Sequence, residues 1–161
     1  MLSNLEILFS RLHDAQFACL LLAPLLLYGL LFGVIFFAVG HYMGQPKCRA
    51  AALTVIILCS LSIVPYLSLR QKAMSRELVS RPSDAKLIKD QQQRRSSTTW
   101  VYYSLAIAAV LSFISGGKIA QFSDYAIIFG GVAVIIFSAW LHMKEAEIYH
   151  PDIIPHAKAV R

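Results

Sequence analysis

Four long apolar blocks without a single charged residue dominate the chain between Gln16 and Leu141. They cover about residues 16–40, 50–69, 99–117 and 125–141. A run of about 18 or more apolar residues is long enough to cross the hydrocarbon of a bilayer as a helix. The pattern therefore predicts an all-α fold, an integral membrane four-helix bundle, with residues 1–161 forming a single membrane domain.

The residues before the first block show a different pattern. Apolar side chains recur at helical spacing on one face, namely Leu2, Leu5, Leu8, Phe9 and Leu12. A helix with one apolar face lies in the headgroup plane of a membrane. We therefore expect a short N-terminal interfacial helix over residues 2–13, although a plain extension of the first span would give the same pattern.

A long polar segment with many basic residues, at residues 70–98, separates the second apolar block from the third. We call it the basic loop. The second helix is expected to continue past Arg70 to about Val79. The run at residues 81–84, Arg-Pro-Ser-Asp, then indicates a break with a new helix cap. Residues 85–95 can form a second short helix before the third span begins.

Lysine and arginine are unevenly distributed between the two sides that four spans would define. The N-terminus, the basic loop and the C-terminus together carry twelve, whereas the opposite side carries Lys47, Arg49 and Lys118. The positive-inside rule then places both termini and the basic loop on the cytoplasmic or matrix side. The expected location is a bacterial inner membrane or the inner membrane of an organelle.

Three interpretations of the basic loop remain open. Its charge can serve only to fix the topology, or it can bind anionic lipid headgroups, or it can dock a partner subunit. Contact with lipid or partner is assigned to Arg70, Lys72, Arg76, Arg94 and Arg95. Nucleic acid is not an expected partner, because no recognition motif and no interleaved aromatic residues accompany the charge.

Small residues recur every fourth position on three of the spans, which lets helix backbones approach closely. These candidate packing residues are Gly29 and Gly33 in the first span, Ser104, Ala108 and Ser112 in the third, and Ala126 and Gly130 in the fourth. They predict packing within the bundle, or contact with another subunit or another copy.

Pro24 and Pro65 fall in the same half of their spans, towards the basic loop. Each removes one backbone hydrogen bond and can kink its helix. Two such kinks could splay that end of the bundle and open a crevice for a lipid, a quinone or a subunit. A pair of tolerated kinks without function is the alternative.

Candidate chemistry is sparse. Charged residues make up 15% of the chain, against about 25% in soluble domains, and the span interiors contain none. The first expectation is that no cofactor is bound, and that histidines at the membrane edge contact water or headgroups. His13 and His142 fall on the same side of the membrane and are the candidate ligands if a haem b is bound. No metal site and no catalytic residue is predicted, and no enzyme activity is expected.

These features favour a non-catalytic, multi-pass membrane subunit that packs against other subunits in a hetero-oligomer within the lipid bilayer. An electron-transfer complex is the first candidate for that assembly. The first alternative is a redox subunit that binds haem or quinone. A small channel or transporter that works as an oligomer is the second.

Overall fold

The computed structural model describes residues 14–80 and 82–149, and every regular element within those residues is helical. The all-α prediction is therefore confirmed for this part of the chain. The elements are α1 (Ala15–Pro24), a π-helical turn (Leu25–Gly29), α2 (Leu30–Tyr42), α3 (Pro46–Leu61), α4 (Ile63–Ser80), a 3₁₀ turn (Pro82–Asp84), α5 (Ala85–Ser97), α6 (Thr99–Ile114) and α7 (Gly117–Tyr149).

These elements combine into four helices that are long and apolar enough to cross a membrane, as the sequence predicted. In order, the first to fourth span helices are Ala15–Tyr42, Pro46–Ser80, Ala85–Ile114 and Gly117–Glu147. Each is longer than its predicted apolar block. An apolar block shows only the part of a helix that can lie in the hydrocarbon of a bilayer. The helices themselves continue beyond the blocks into polar sequence.

The segment 70–98, expected to be a loop that could contain helix, is almost entirely helical. Helix α4 of the second span continues past Arg70 without interruption to Ser80, and α5 begins at Ala85 and leads directly into α6. The predicted break at residues 81–84 contains the short 3₁₀ turn Pro82–Asp84. The basic segment is therefore a helical hairpin and not an irregular connector.

Both span prolines coincide with irregularities in their helices. Pro24 ends α1 and is followed by the π-helical turn. Before Pro65 the helix breaks at Ser62, whose hydroxyl donates to the carbonyl of Cys59 at 2.6 Å. A proline cannot donate to the carbonyl four residues earlier and its ring crowds that carbonyl. For Pro65 this is the carbonyl of Leu61, so the break at Ser62 has a local cause.

Two short turns join the first span helix to the second and the third to the fourth. Gly44 and Gly117 adopt positive φ angles of 64° and 62° there, a conformation that L side chains rarely adopt. Pro46 then starts α3 at a position where a missing N–H costs nothing. We call this side of the bundle the short-loop end, and the side that carries Arg70 and Arg95 the basic end.

The four span helices form a closed ring in chain order. The first packs against the second and fourth, and the third packs against the same two. Side chains from all four helices meet at the centre, where Leu30, Phe37, Ile56, Ala109 and Ile127 are completely buried. The arrangement is an up-and-down bundle in which short connections join neighbours.

Large apolar side chains also cover the outside of the ring. Only 28–39% of the most apolar stretch of each span helix is buried, and Leu20, Leu58, Ile114 and Phe129 are among the exposed residues. An apolar exterior on every helix is typical of a bundle surrounded by lipid. The predicted interfacial helix at residues 2–13 lies outside the described residues.

Candidate functional site

A cluster of paired charges joins three helices at the basic end. Tyr66 and Arg70 lie one turn apart on the second span helix, and Glu145 faces them from the fourth. Arg95, which is 5% exposed, donates to the Tyr66 hydroxyl at 2.6 Å and to Oε2 of Glu145 at 2.8 Å. Arg70 pairs with the other carboxylate oxygen of Glu145. We call these four residues the basic-end cluster.

Further contacts hold α5 against the fourth and the second span helices. The buried Gln91 amide donates to the backbone carbonyl of Leu141 at 3.0 Å, and the guanidinium of Arg95 lies 5.2 Å from the centre of the Tyr66 ring. Because buried polar groups must find partners, these contacts fix α5 against the bundle. The part of the hairpin that contains Gln91 and Arg95 therefore packs against the four-helix bundle.

A crevice of about 520 Å³ lies beside this cluster, between the first, second and fourth span helices. Its size is in the range of small-molecule sites. The residues that line it are Gln16, Cys19, Leu20, Ala23, Tyr66, Arg70, Ala73, His142, Glu145 and Ala146. All of them lie on the basic-end side of the two irregularities at Pro24 and Ser62.

His142 is the candidate haem ligand that the structure describes, and it lies on the crevice wall. Its Nδ1 is 2.8 Å from the backbone carbonyl of Ser138. The other candidate, His13, lies outside the described residues. Among residues 14–80 and 82–149, no group of three or more His, Cys, Asp or Glu side chains could hold a metal ion.

A second polar cluster lies at the short-loop end and was not predicted. Asp124 is 4% exposed, and its carboxylate accepts from Nη2 of Arg49 at 2.9 Å and from the Ser112 hydroxyl. Nδ1 of His41 lies 3.2 Å from its second oxygen. Arg49 also donates to the hydroxyl of Ser112 at 3.0 Å. We call these four residues the short-loop cluster, and it connects all four span helices.

The candidate packing residues occupy different environments. A Cβ at Gly29 would lie 2.5 Å from Sγ of Cys59, and one at Gly33 would lie 2.9 Å from Cγ1 of Ile56, so both glycines allow close contact with the second span helix. In the fourth span helix the close contact is at Gly131, where a Cβ would lie 2.5 Å from Cγ2 of Val34. At Gly130 it would meet nothing within 4 Å.

The other small residues of these rows also differ in exposure. Ala108 packs partly against the core and Ala126 is half-buried. Ser104 is exposed and its hydroxyl donates to its own helix, at Val101. Ser112 is buried within the short-loop cluster, where it takes part in a hydrogen-bond network in addition to packing.

The five basic residues assigned to lipid or partner contact divide into two groups. Lys72, Arg76 and Arg94 are exposed, and Arg76 pairs with the partly exposed Asp14 at 3.3 Å. Arg70 and Arg95 instead point into the basic-end cluster. The surface available to anionic groups is therefore smaller than the sequence suggests.

Comparison with protein-family models, with curated proteins and with solved structures found no match. Function is accordingly inferred from the residues themselves, because a four-helix architecture is shared by proteins of many activities.

Proposed function

We propose that this chain is a non-catalytic, multi-pass membrane subunit that packs against other membrane subunits of a larger complex. An electron-transfer complex in a bacterial or organelle inner membrane is the candidate assembly. Both termini and the basic hairpin would face the cytoplasm or matrix, in line with the distribution of lysine and arginine.

The observation that carries the proposal is that the fourth span helix has a glycine, Gly130, at a position where no other described helix of this bundle packs closely. Gly130 borders open space, and the neighbouring Ala133 is exposed. Glycine inside a helix costs stability relative to alanine. That cost is offset where a second helix approaches closely, and within this bundle no helix does so at Gly130.

The paired charges support a structural role for the polar groups. In the basic-end cluster and the short-loop cluster, charged side chains bind to groups on other helices. Such pairs hold helices in place, and truncating one partner leaves a buried charge without compensation. The bundle then presents a rigid apolar exterior, suited to binding neighbours within the bilayer.

Purification in a mild detergent, followed by mass spectrometry, tests this proposal. We expect other membrane subunits to co-purify with the wild-type chain and to be lost from Gly130→Leu, because a leucine there blocks close approach of a helix. Ala51→Leu, which adds the same bulk at an exposed position of the second span helix, should retain them.

Other outcomes would contradict the proposal. Solute flux through liposomes that contain only this chain would favour the channel. A Soret absorption band that disappears in His142→Ala would favour the haem-binding redox subunit. Purification of the chain without any other subunit would also count against the proposal that it belongs to a larger complex.

A further inference from the structure

The crevice at the basic end is lined by apolar side chains on one part of its wall and by polar side chains on the rest. One alanine from each of three helices, Ala23, Ala73 and Ala146, leaves space at its wall, and Leu20 at its rim is 71% exposed. Polar side chains line the remainder, including His142 and Gln16. Concave sites with a mostly apolar wall and a few polar groups are typical of small-molecule binding. The exposed rim opens the crevice on the outer surface of the bundle.

The tautomer of His142 follows from its contact with the backbone. The carbonyl of Ser138 can only accept a hydrogen bond, so Nδ1 of His142, at 2.8 Å, carries the proton. In the neutral imidazole the other ring nitrogen, Nε2, is then an acceptor. A backbone carbonyl that fixes the tautomer in this way also orients the ring. His142 is thus prepared to accept a hydrogen bond from a ligand in the crevice.

The charges around the crevice select for a neutral ligand. The carboxylate of Glu145 on the wall is already paired with the guanidinium groups of Arg70 and Arg95. An anionic head would have to compete with Glu145 for these guanidinium groups, and a cationic head would have to compete with them for the carboxylate. A neutral head that donates a hydrogen bond avoids both costs.

We propose that this crevice binds the hydroquinone head of an isoprenoid or alkyl quinol. One phenolic hydroxyl donates to Nε2 of His142, the ring occupies the space beside the three alanines, and the apolar tail leaves past Leu20. A phenol, with an ordinary pKa of about 10, is more acidic than an aliphatic alcohol and is the stronger donor to an imidazole. The proposal concerns binding alone, and is independent of whether the chain associates with other subunits.

The test is saturable binding of radiolabelled decyl-hydroquinone to the full chain in lipid nanodiscs, with empty nanodiscs as the background. It is done without oxygen, so that the hydroquinone stays reduced. We expect wild-type protein to bind one hydroquinone, and His142→Ala to bind about ten-fold more weakly, the scale of one lost hydrogen bond. The dimethyl ether of the same compound, which has no hydroxyl to donate, should bind as weakly.

A matched pair of alanine substitutions tests whether the ligand occupies the crevice, without changing His142. Ala146→Leu fills the crevice and should abolish binding, whereas Ala51→Leu places the same side chain at an exposed position of the second span helix, near the short-loop end, and should leave binding unchanged. Equal binding by wild type, His142→Ala and Ala146→Leu would overturn the proposal. Equal affinity for the dimethyl ether, or displacement by a long-chain alcohol or by phosphatidylglycerol at the same concentration, would also overturn it.

Discussion

Replacing Glu145 with alanine is expected to lower the free energy of unfolding by about 3–5 kcal/mol, the usual cost of removing one partner from a buried ion pair. Arg95, at 5% exposed, would lose its carboxylate while staying beneath the surface. The substitution also removes the ion pair with Arg70. Reversible unfolding of the purified protein in detergent measures the effect.

The control is Glu147→Ala, two residues further along the same helix and with the same change in charge. Glu147 pairs with Lys144 at 2.9 Å across one helical turn, and both side chains are partly exposed. A pair of this kind contributes about 0.3–0.5 kcal/mol. If the two variants lost equal stability, the basic-end cluster would not be what holds these helices together.

Replacing Asp124 with alanine is expected to cost about 3 kcal/mol at the short-loop end. Asp124 is 4% exposed, and its carboxylate is the acceptor shared by Arg49, Ser112 and His41. Without it, the Arg49 charge keeps only the hydroxyl and carbonyl of Ser112. The same unfolding measurement applies, with the exposed Asp90→Asn as the variant that should change little.

A double variant separates the effect of an unpaired charge on stability from the effect of lost side-chain packing. Arg49→Met with Asp124→Leu removes both charges, and we expect it to recover part of the stability that Asp124→Ala loses, because apolar replacement of both partners is often neutral. A double variant less stable than Asp124→Ala would mean that this interpretation of the short-loop cluster is wrong.

Much of the architecture can be predicted from the sequence because lipid-compatible helices need long uncharged runs. The four span helices, the extension of the second beyond Arg70 and the break at residues 81–84 all follow from that rule and from proline chemistry. The helix ends are less accurate. The third span helix begins at Ala85, well before the apolar block. Its first part, α5, is helical but polar, so hydropathy does not reveal it.

The two charged clusters could not be predicted, because hydropathy does not show which way an edge residue faces. Arg49 and Asp124 lie just outside their apolar blocks, and of the two only Arg49 contributes to the sequence prediction, as one of the basic residues that indicate the topology. One weak signal was available: Tyr66 and Arg70 are spaced for the same helix face. Adjacent Gly130 and Gly131 present a similar problem, since only the rotation of the helix decides which one meets Val34.

The central claim is that four helices cross a membrane and that the basic end and the short-loop end lie on opposite sides of it. The direct test is labelling of intact cells with a membrane-impermeant maleimide, using chains in which Cys19, Cys48 and Cys59 are replaced by alanine. The exposed residues Lys118 and Lys89 are then changed singly to cysteine. We predict that Lys118→Cys reacts in intact cells and that Lys89→Cys reacts only after the membrane is permeabilised. Reaction of both positions from the same side would contradict the account.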